Sequence, residues 1–302
     1  MRIYAILLAI LFLGGCAKDT EIGKIMVPGA DYTLPQGGDV TADQRILKLY
    51  ETYGSYFLYE FSEKDFNWTQ ISGSLGDDIF RFDPIEPGKV ANLLDLLQLT
   101  WFDFYDQEFL AKTMPIRIFL AETVQLQVSE FDWGTWDYIL SWKDIYARYL
   151  DNQIAISNVD KNITEMSAEE KREYKSNLQS VFLEYLVTSA IIVAPDEFIA
   201  ISDYLNNVSD TEEARNAGFV LNPTMDYEWS VDGNMTESND LNAYLASLVF
   251  RTTEEWKEDI QYPLVKQKYD ILVNWLKTGY GIDIVKTVSY THLRAHETEL
   301  HL

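Results

Sequence analysis

The stretch PIRIFLAETVQLQ, Pro115 to Gln127, decides the fold class of this chain. It is rich in β-branched side chains and partly alternating, which reads as a central strand. Upstream, Thr41 and Gln44 form a capping box that opens a helix with the stripe Ile46, Leu47, Leu49, Tyr50 and Tyr53. Gly54 ends that helix, and the aromatic-rich SYFLYEF, Ser55–Phe61, reads as a second strand. Asp83-Pro-Ile-Glu-Pro-Gly88 reads as a turn leading into a helix from Lys89 to Leu110. Downstream, WGTWDYILSWKDIYARYLD, Trp133–Asp151, carries no clear period, while Asn152–Asp160 reads as a short strand. Ser167 and Glu170 form another capping box, opening a helix to about Ala190. Further helices are expected over Pro195–Leu205, Leu241–Phe250, Thr253–Ile260 and Pro263–Gly279. Thr211–Asn216 reads as a helical turn, and Gly218–Asp240 as loop. Strands come early and helices late, so the expected fold is α+β: a small sheet packed on a mostly helical C-terminal half.

The chain has 302 residues, of which 47% are hydrophobic, enough to bury a real core. Its formal charge of −24 repels nucleic acid and anionic lipid headgroups, so no nucleic-acid partner is expected. Cys16 is its one cysteine. A positive start at Arg2, an apolar run from Ile3 to Leu13 and the ending Leu13-Gly14-Gly15-Cys16 resemble a bacterial lipobox. Residues 1–15 are therefore expected to be a lipoprotein signal peptide, with Cys16 acylated and 16–40 a tether. Ala17 after the cysteine does not suggest inner-membrane retention, so an outer-membrane lipoprotein is expected, facing the periplasm or the cell surface. Residues 41–287 would form a single domain.

Several segments together resemble the zinc-binding metallopeptidase lipoproteins, also called substrate import-associated zinc metallohydrolase lipoproteins. They are the lipobox with its tether, DQRILKLYETYGSYFLYEF, LNNVSDTEEARNAGFV (Leu205–Val220) and YPLVKQKYDILVNWLKTGYGIDI (Tyr262–Ile284). The resemblance implies a zincin-like fold, a twisted sheet over a helix bearing His-Glu-x-x-His. In that motif two imidazoles hold Zn²⁺ and the glutamate acts as general base. It also implies genes beside outer-membrane import receptors, and hence a nutrient-import role. In this sequence the motif falls on Leu183-Glu184-Tyr185-Leu186-Val187 within SVFLEYLVTSAIIVAPDEFIAISDY, Ser180–Tyr204. The third ligand position falls on Ala243. Leu, Val and Ala have no lone pairs to give a metal, so zinc is expected for the family but not for this chain.

All three histidines, His292, His296 and His301, lie in the final VSYTHLRAHETELHL, Val288–Leu302. Its first eleven residues read as the translation of a transposase-type sequencing adapter. Residues 288–302 are therefore expected to be foreign, and the natural C-terminus truncated. Other candidates are weaker. DGNMTESND, Asp232–Asp240, starts like a calcium loop but has Glu237 where Gly is needed and Ala243 where Glu is needed. Trp133, Trp136, Tyr138 and Trp142 could grip a sugar or a peptide. The balance of expectation is that Trp136, Ile139, Leu140 and Trp142 pack inward. The function expected is non-catalytic binding of a peptide, glycan or protein partner. The alternative is a hydrolase, either metallopeptidase-like or using only the carboxylates Glu184 and Asp240.

Overall fold

The computed structural model describes residues 32–67, 78–159, 161–206, 208–224 and 235–284. The signal, Cys16, most of the tether and the histidine tail lie outside the described residues. The described chain from Leu34 onward belongs to one compact unit. Residues 34–39, placed in the tether by the sequence, hydrogen-bond into it: the Gln36 side chain donates to the Phe57 carbonyl and accepts from the Tyr59 and Glu60 amides.

Helix α1 (Val40–Tyr53) is capped by Asp39, whose carboxylate accepts the Ala42 amide. Thr41 was the expected cap; Asp39 takes the role because its backbone is extended, as an N-cap requires. Asp43 instead accepts the Gln36 and Gly37 amides and the Tyr59 hydroxyl. Gly54 ends α1 at φ 73°, a left-handed conformation. Gly54→Ala is expected to cost about 1 kcal/mol, because a Cβ is disfavoured there; a matching fall in the urea midpoint checks it.

Strand β1 (Tyr56–Leu58), the short α2 (Glu63–Phe66), β2 (Phe80–Pro84) and α3 (Pro87–Thr100) follow. The expected unbroken helix to Leu110 is corrected. It breaks at Trp101 (φ −129°, ψ −64°), turns through Phe102–Phe104 and restarts as α4 (Gln107–Thr113). Trp101, Phe102 and Tyr105, on either side of the break, are all buried in the core. The sheet is completed by β3 (Arg117–Asp132), β4 (Asp137–Ile145), β5 (Ala147–Leu150) and β6 (Gln153–Ser157).

The expected central strand is confirmed and is longer than the sequence suggests. Early in β3, residues pair in parallel with β1 and β6; later residues pair antiparallel with β2 and β4. Val124 faces both Phe82 and Ile145, so β2 and β4 lie on opposite edges of β3. Ser157 marks where the β4–β5 run leaves β6 for β3. Its hydroxyl donates to the Ile145 carbonyl and accepts the Val124 amide. The turn read at Asp83-Pro84 is thus the end of a strand, with a register shift between those two residues.

Helix α5 (Ala168–Thr188) carries both bonds of the Ser167/Glu170 capping box. Buried side chains fasten it on three sides. Tyr174 donates to the Ser157 carbonyl on the sheet, Gln179 to the Thr100 carbonyl on α3, and Ser176 to the Val249 carbonyl. Past it come α6 (Asp196–Ile199), α7 (Thr211–Asn216), α8 (Glu237–Phe250), α9 (Thr253–Asp259) and α10 (Pro263–Tyr280). The helix expected over Pro195–Leu205 shrinks to α6. Beyond it, Ser202 and Asp203 bond backbone groups with their side chains, in competition with helix continuation. The architecture is α+β, with a mixed sheet in the N-terminal half and helices in the C-terminal half.

Candidate functional site

The C-terminal half of α5 carries Leu183, Glu184 and Val187, on which the resemblance places the zinc motif. Leu183 has no exposed surface and belongs to the main core. Nearby, Phe182 meets Trp101 and Tyr105 edge-on, at ring separations of 5.0 and 5.2 Å. Val187 is half-buried against the same core. Ala243 is buried on α8, the helix that packs along α5. Glu184 points to the surface, and among the described residues no hydrogen bond or ion pair holds it. Surrounding protein still raises its carboxyl pKa, and the Asp78 charge adds to the rise.

Asp240 stands apart from Glu184 in character. It lies in the first turn of α8 with no exposed surface. Lys268 of α10, equally buried, donates to its Oδ2 at 2.6 Å, and the Tyr204 hydroxyl donates to the same oxygen at 2.6 Å. Four rings box the ammonium: Phe198 at 4.7 Å, Phe219 at 4.8 Å, Tyr204 at 5.4 Å and Tyr244 at 5.7 Å. Burial pushes the Asp240 carboxyl up and the Lys268 ammonium down; the attraction between them opposes both shifts. A carboxylate sealed this way has no path to a substrate. The expected pair of Glu184 and Asp240 does not meet in a cleft, as a two-carboxylate hydrolase requires. The calcium-loop reading of Asp232–Asp240 meets the same obstacle at Asp240; residues 225–234 lie outside the described residues.

An open cleft of about 550 Å³ lies between the β5–β6 turn and the end of α5, lined by Tyr149, Asp151, Asn152, Tyr185, Thr188 and Ser189 among others. Four of its polar side chains bond one another in pairs. Tyr149 and Thr188 share a hydroxyl contact at 3.2 Å, and Tyr185 donates to Asn152 Oδ1 at 3.2 Å. No nucleophile is paired with a base there.

The fold has a recorded likeness. The chain is similar to a crystal structure titled as a "putative zinc-binding metallo-peptidase" from Bacteroides caccae ATCC 43185, at 14% identity and a TM-score of 0.53. The likeness covers 90% of this chain and 97% of that one. The fold is metallopeptidase-like. No family model and no curated protein matches the sequence. Whether zinc fits is decided by this chain's own side chains. Leu183, Val187 and Ala243 supply no donor atom, and among the described residues no three His, Cys, Asp or Glu side chains cluster to hold a metal. Among the described residues, these positions do not fit zinc.

The aromatic segment overturns one expectation. Trp133, Trp136 and Tyr138 are 73%, 74% and 66% exposed, and Ile139 and Leu140 are exposed with them. Trp142 is half-buried, with the Arg81 guanidinium over its ring at 4.2 Å. Inward packing fails because β3 and β4 run on past their pairing with β2, and among the described residues no element covers their exposed rings. The sequence reading missed Lys268. The signal was present: Val265, Lys268, Leu272 and Leu276 are the buried stripe of α10, and a lysine in such a stripe needs a buried partner.

Proposed function

We propose that this chain is a non-catalytic binding protein built on a metallopeptidase-like fold. It is held at the outer membrane through a lipid on Cys16 and serves nutrient import beside an outer-membrane receptor. The observation that carries the non-catalytic reading is Leu183, sealed in apolar core where zinc chemistry needs an imidazole. The loss of all three donors removes both the Lewis acid and the bound water on which a glutamate would act. Glu184 remains without a proton to move. The lipobox ending at Cys16 supports the anchor, and the exposed aromatics of the β3–β4 arm support binding.

Metal analysis tests this reading. The protein purified in zinc-containing buffer, then desalted, is expected to carry far less than one zinc per chain and to cleave no peptide substrate. One zinc per chain, retained through desalting and required for peptide cleavage, would overturn it.

A further inference from the structure

Past Leu126, the last residue of β3 to pair with β2, the sheet narrows among the described residues to a two-stranded ribbon of β3 and β4. Pairing places Gln127 opposite Trp142, Ser129 opposite Leu140 and Phe131 opposite Tyr138, all on one face, since alternate pairs share a face. Phe131 is the hub of the tip. Its ring meets Trp133 at 4.9 Å, Tyr138 at 5.2 Å and Trp136 at 6.2 Å, each near edge-on. The largest of these rings are exposed by two-thirds or more of their surface. Trp136 also sits at φ 56°, a left-handed conformation that glycine or asparagine would adopt with less strain. The tip thus keeps a large open ring where turn chemistry alone favours a small residue.

We propose that this ribbon face binds a neutral glycan, with sugar rings stacked on the tip aromatics and the chain running down toward Trp142. The inference deepens the binding role proposed above and names its ligand class. Two columns run side by side on this face. The β4 column, Tyr138 and Leu140, offers flat apolar surface to the C–H faces of sugars; the β3 column offers the Ser129 hydroxyl and the Gln127 amide to their hydroxyls. The row from Tyr138 to Trp142 is about 13 Å long at the rise of a strand, room for a short run of sugar rings. It closes where Arg81, held by Gln125, covers the Trp142 ring.

Charge selects the neutral class. Glu130, Asp132 and Asp137 stand at the tip, on the alternate pairs of the ribbon, in a chain with net charge −24, which repels acidic polymers. Asp132 accepts the Gly134 amide and the Thr135 hydroxyl, bonds that favour its ionised form at the outermost turn. Insertion of that turn into a lipid layer would have to bury the charge. An added protein strand would pair with backbone edges and leave the ring face uncovered.

Native gels containing soluble α-glucan, β-glucan, mannan or xylan test the proposal on the whole chain. At least one polysaccharide is expected to retard the protein, equally at low and high salt. Trp136→Ala and Tyr138→Ala, both at exposed positions that keep the fold, are expected to weaken binding at least tenfold in titration calorimetry. Val193→Ser, at an exposed apolar residue outside the ribbon, should bind as the parent does. Three results would overturn the proposal: no retardation by any of the four, equal retardation of the tip variants, or binding to zwitterionic vesicles that the tip variants lose. The zinc measurement separates the two readings. A zinc-free protein that ignores sugars loses only its glycan; a zinc-loaded peptidase that Tyr138→Ala deprives of sugar binding loses only the non-catalytic assignment.

Discussion

Lys268→Met is expected to lower the free energy of unfolding by about 3–5 kcal/mol, the usual cost of stranding one partner of a buried ion pair. Methionine is unbranched and only one heavy atom shorter than lysine, so packing against Phe198 and Phe219 is largely kept. What is lost is the positive charge. Asp240 Oδ2 then keeps only the Tyr204 hydroxyl, and Oδ1 already has no hydrogen-bond partner. Burial raises the Asp240 carboxyl even with Lys268 present; without it, the two Lys268 effects that hold it down disappear. A carboxyl with a raised folded pKa stabilises the fold when protonated and loses that contribution as pH rises through the folded value. The deficit of Lys268→Met should therefore be largest at neutral pH and shrink as pH falls. Asp240→Leu combined with Lys268→Met removes both charges and should recover most of the loss, because two apolar side chains replace a pair that costs much to desolvate. Urea unfolding of parent, singles and double at two pH values checks the cycle. A single-variant loss below about 1 kcal/mol would show that Lys268 is not sealed against water.

The sequence revealed those parts of the fold that are set locally. The Ser167/Glu170 box, the Gly54 stop and the Thr211–Asn216 turn all stand where short-range chemistry puts them. The central strand was readable because its apolar run is long. What escaped was set by distant partners. Phe80–Pro84 is a strand only because β3 pairs with it; alone, Asp83-Pro84 reads as a turn. The break at Trp101 sits in a run of good helix formers, and no short-range signal marks it. Trp133–Trp142 had no readable burial, since the same aromatic-rich run is core beneath a neighbour and surface without one. At the candidate site, Leu183, Val187 and Ala243 were placed by the resemblance alone; the structure adds that Leu183 and Ala243 are buried and Val187 half-buried. The burial of Asp240 was not legible, because the residue that seals it lies on another helix, Lys268.

Leu183→His is expected to cost about 3 kcal/mol or more and to gain no zinc. The substitution restores the first letter of the motif, but the environment at position 183 is the interior. Losing a fully buried leucine costs about 2–5 kcal/mol, reduced here by the volume the imidazole refills. Each ring nitrogen left without a partner there adds about 1–3 kcal/mol. Val187→His should cost less, because that position is half-buried and its polar end can reach water. Burial lowers the folded pKa of an imidazole, so the unfolded chain binds protons more readily, and the Leu183→His deficit should deepen as pH falls below about 6.5. Metal offers no relief while position 243 is alanine, since two imidazoles without a third donor make an incomplete site. The measurement is the melting temperature of Leu183→His/Val187→His with excess zinc and with chelator. A metal that bound the folded state at a hundred times its Kd would add about 2.7 kcal/mol of stability, a rise that melting would register. Equal melting in both conditions is expected. A zinc-dependent rise would mean that these two positions share a metal-competent space, and that the chain lost its zinc by substitution alone, with the pocket left intact.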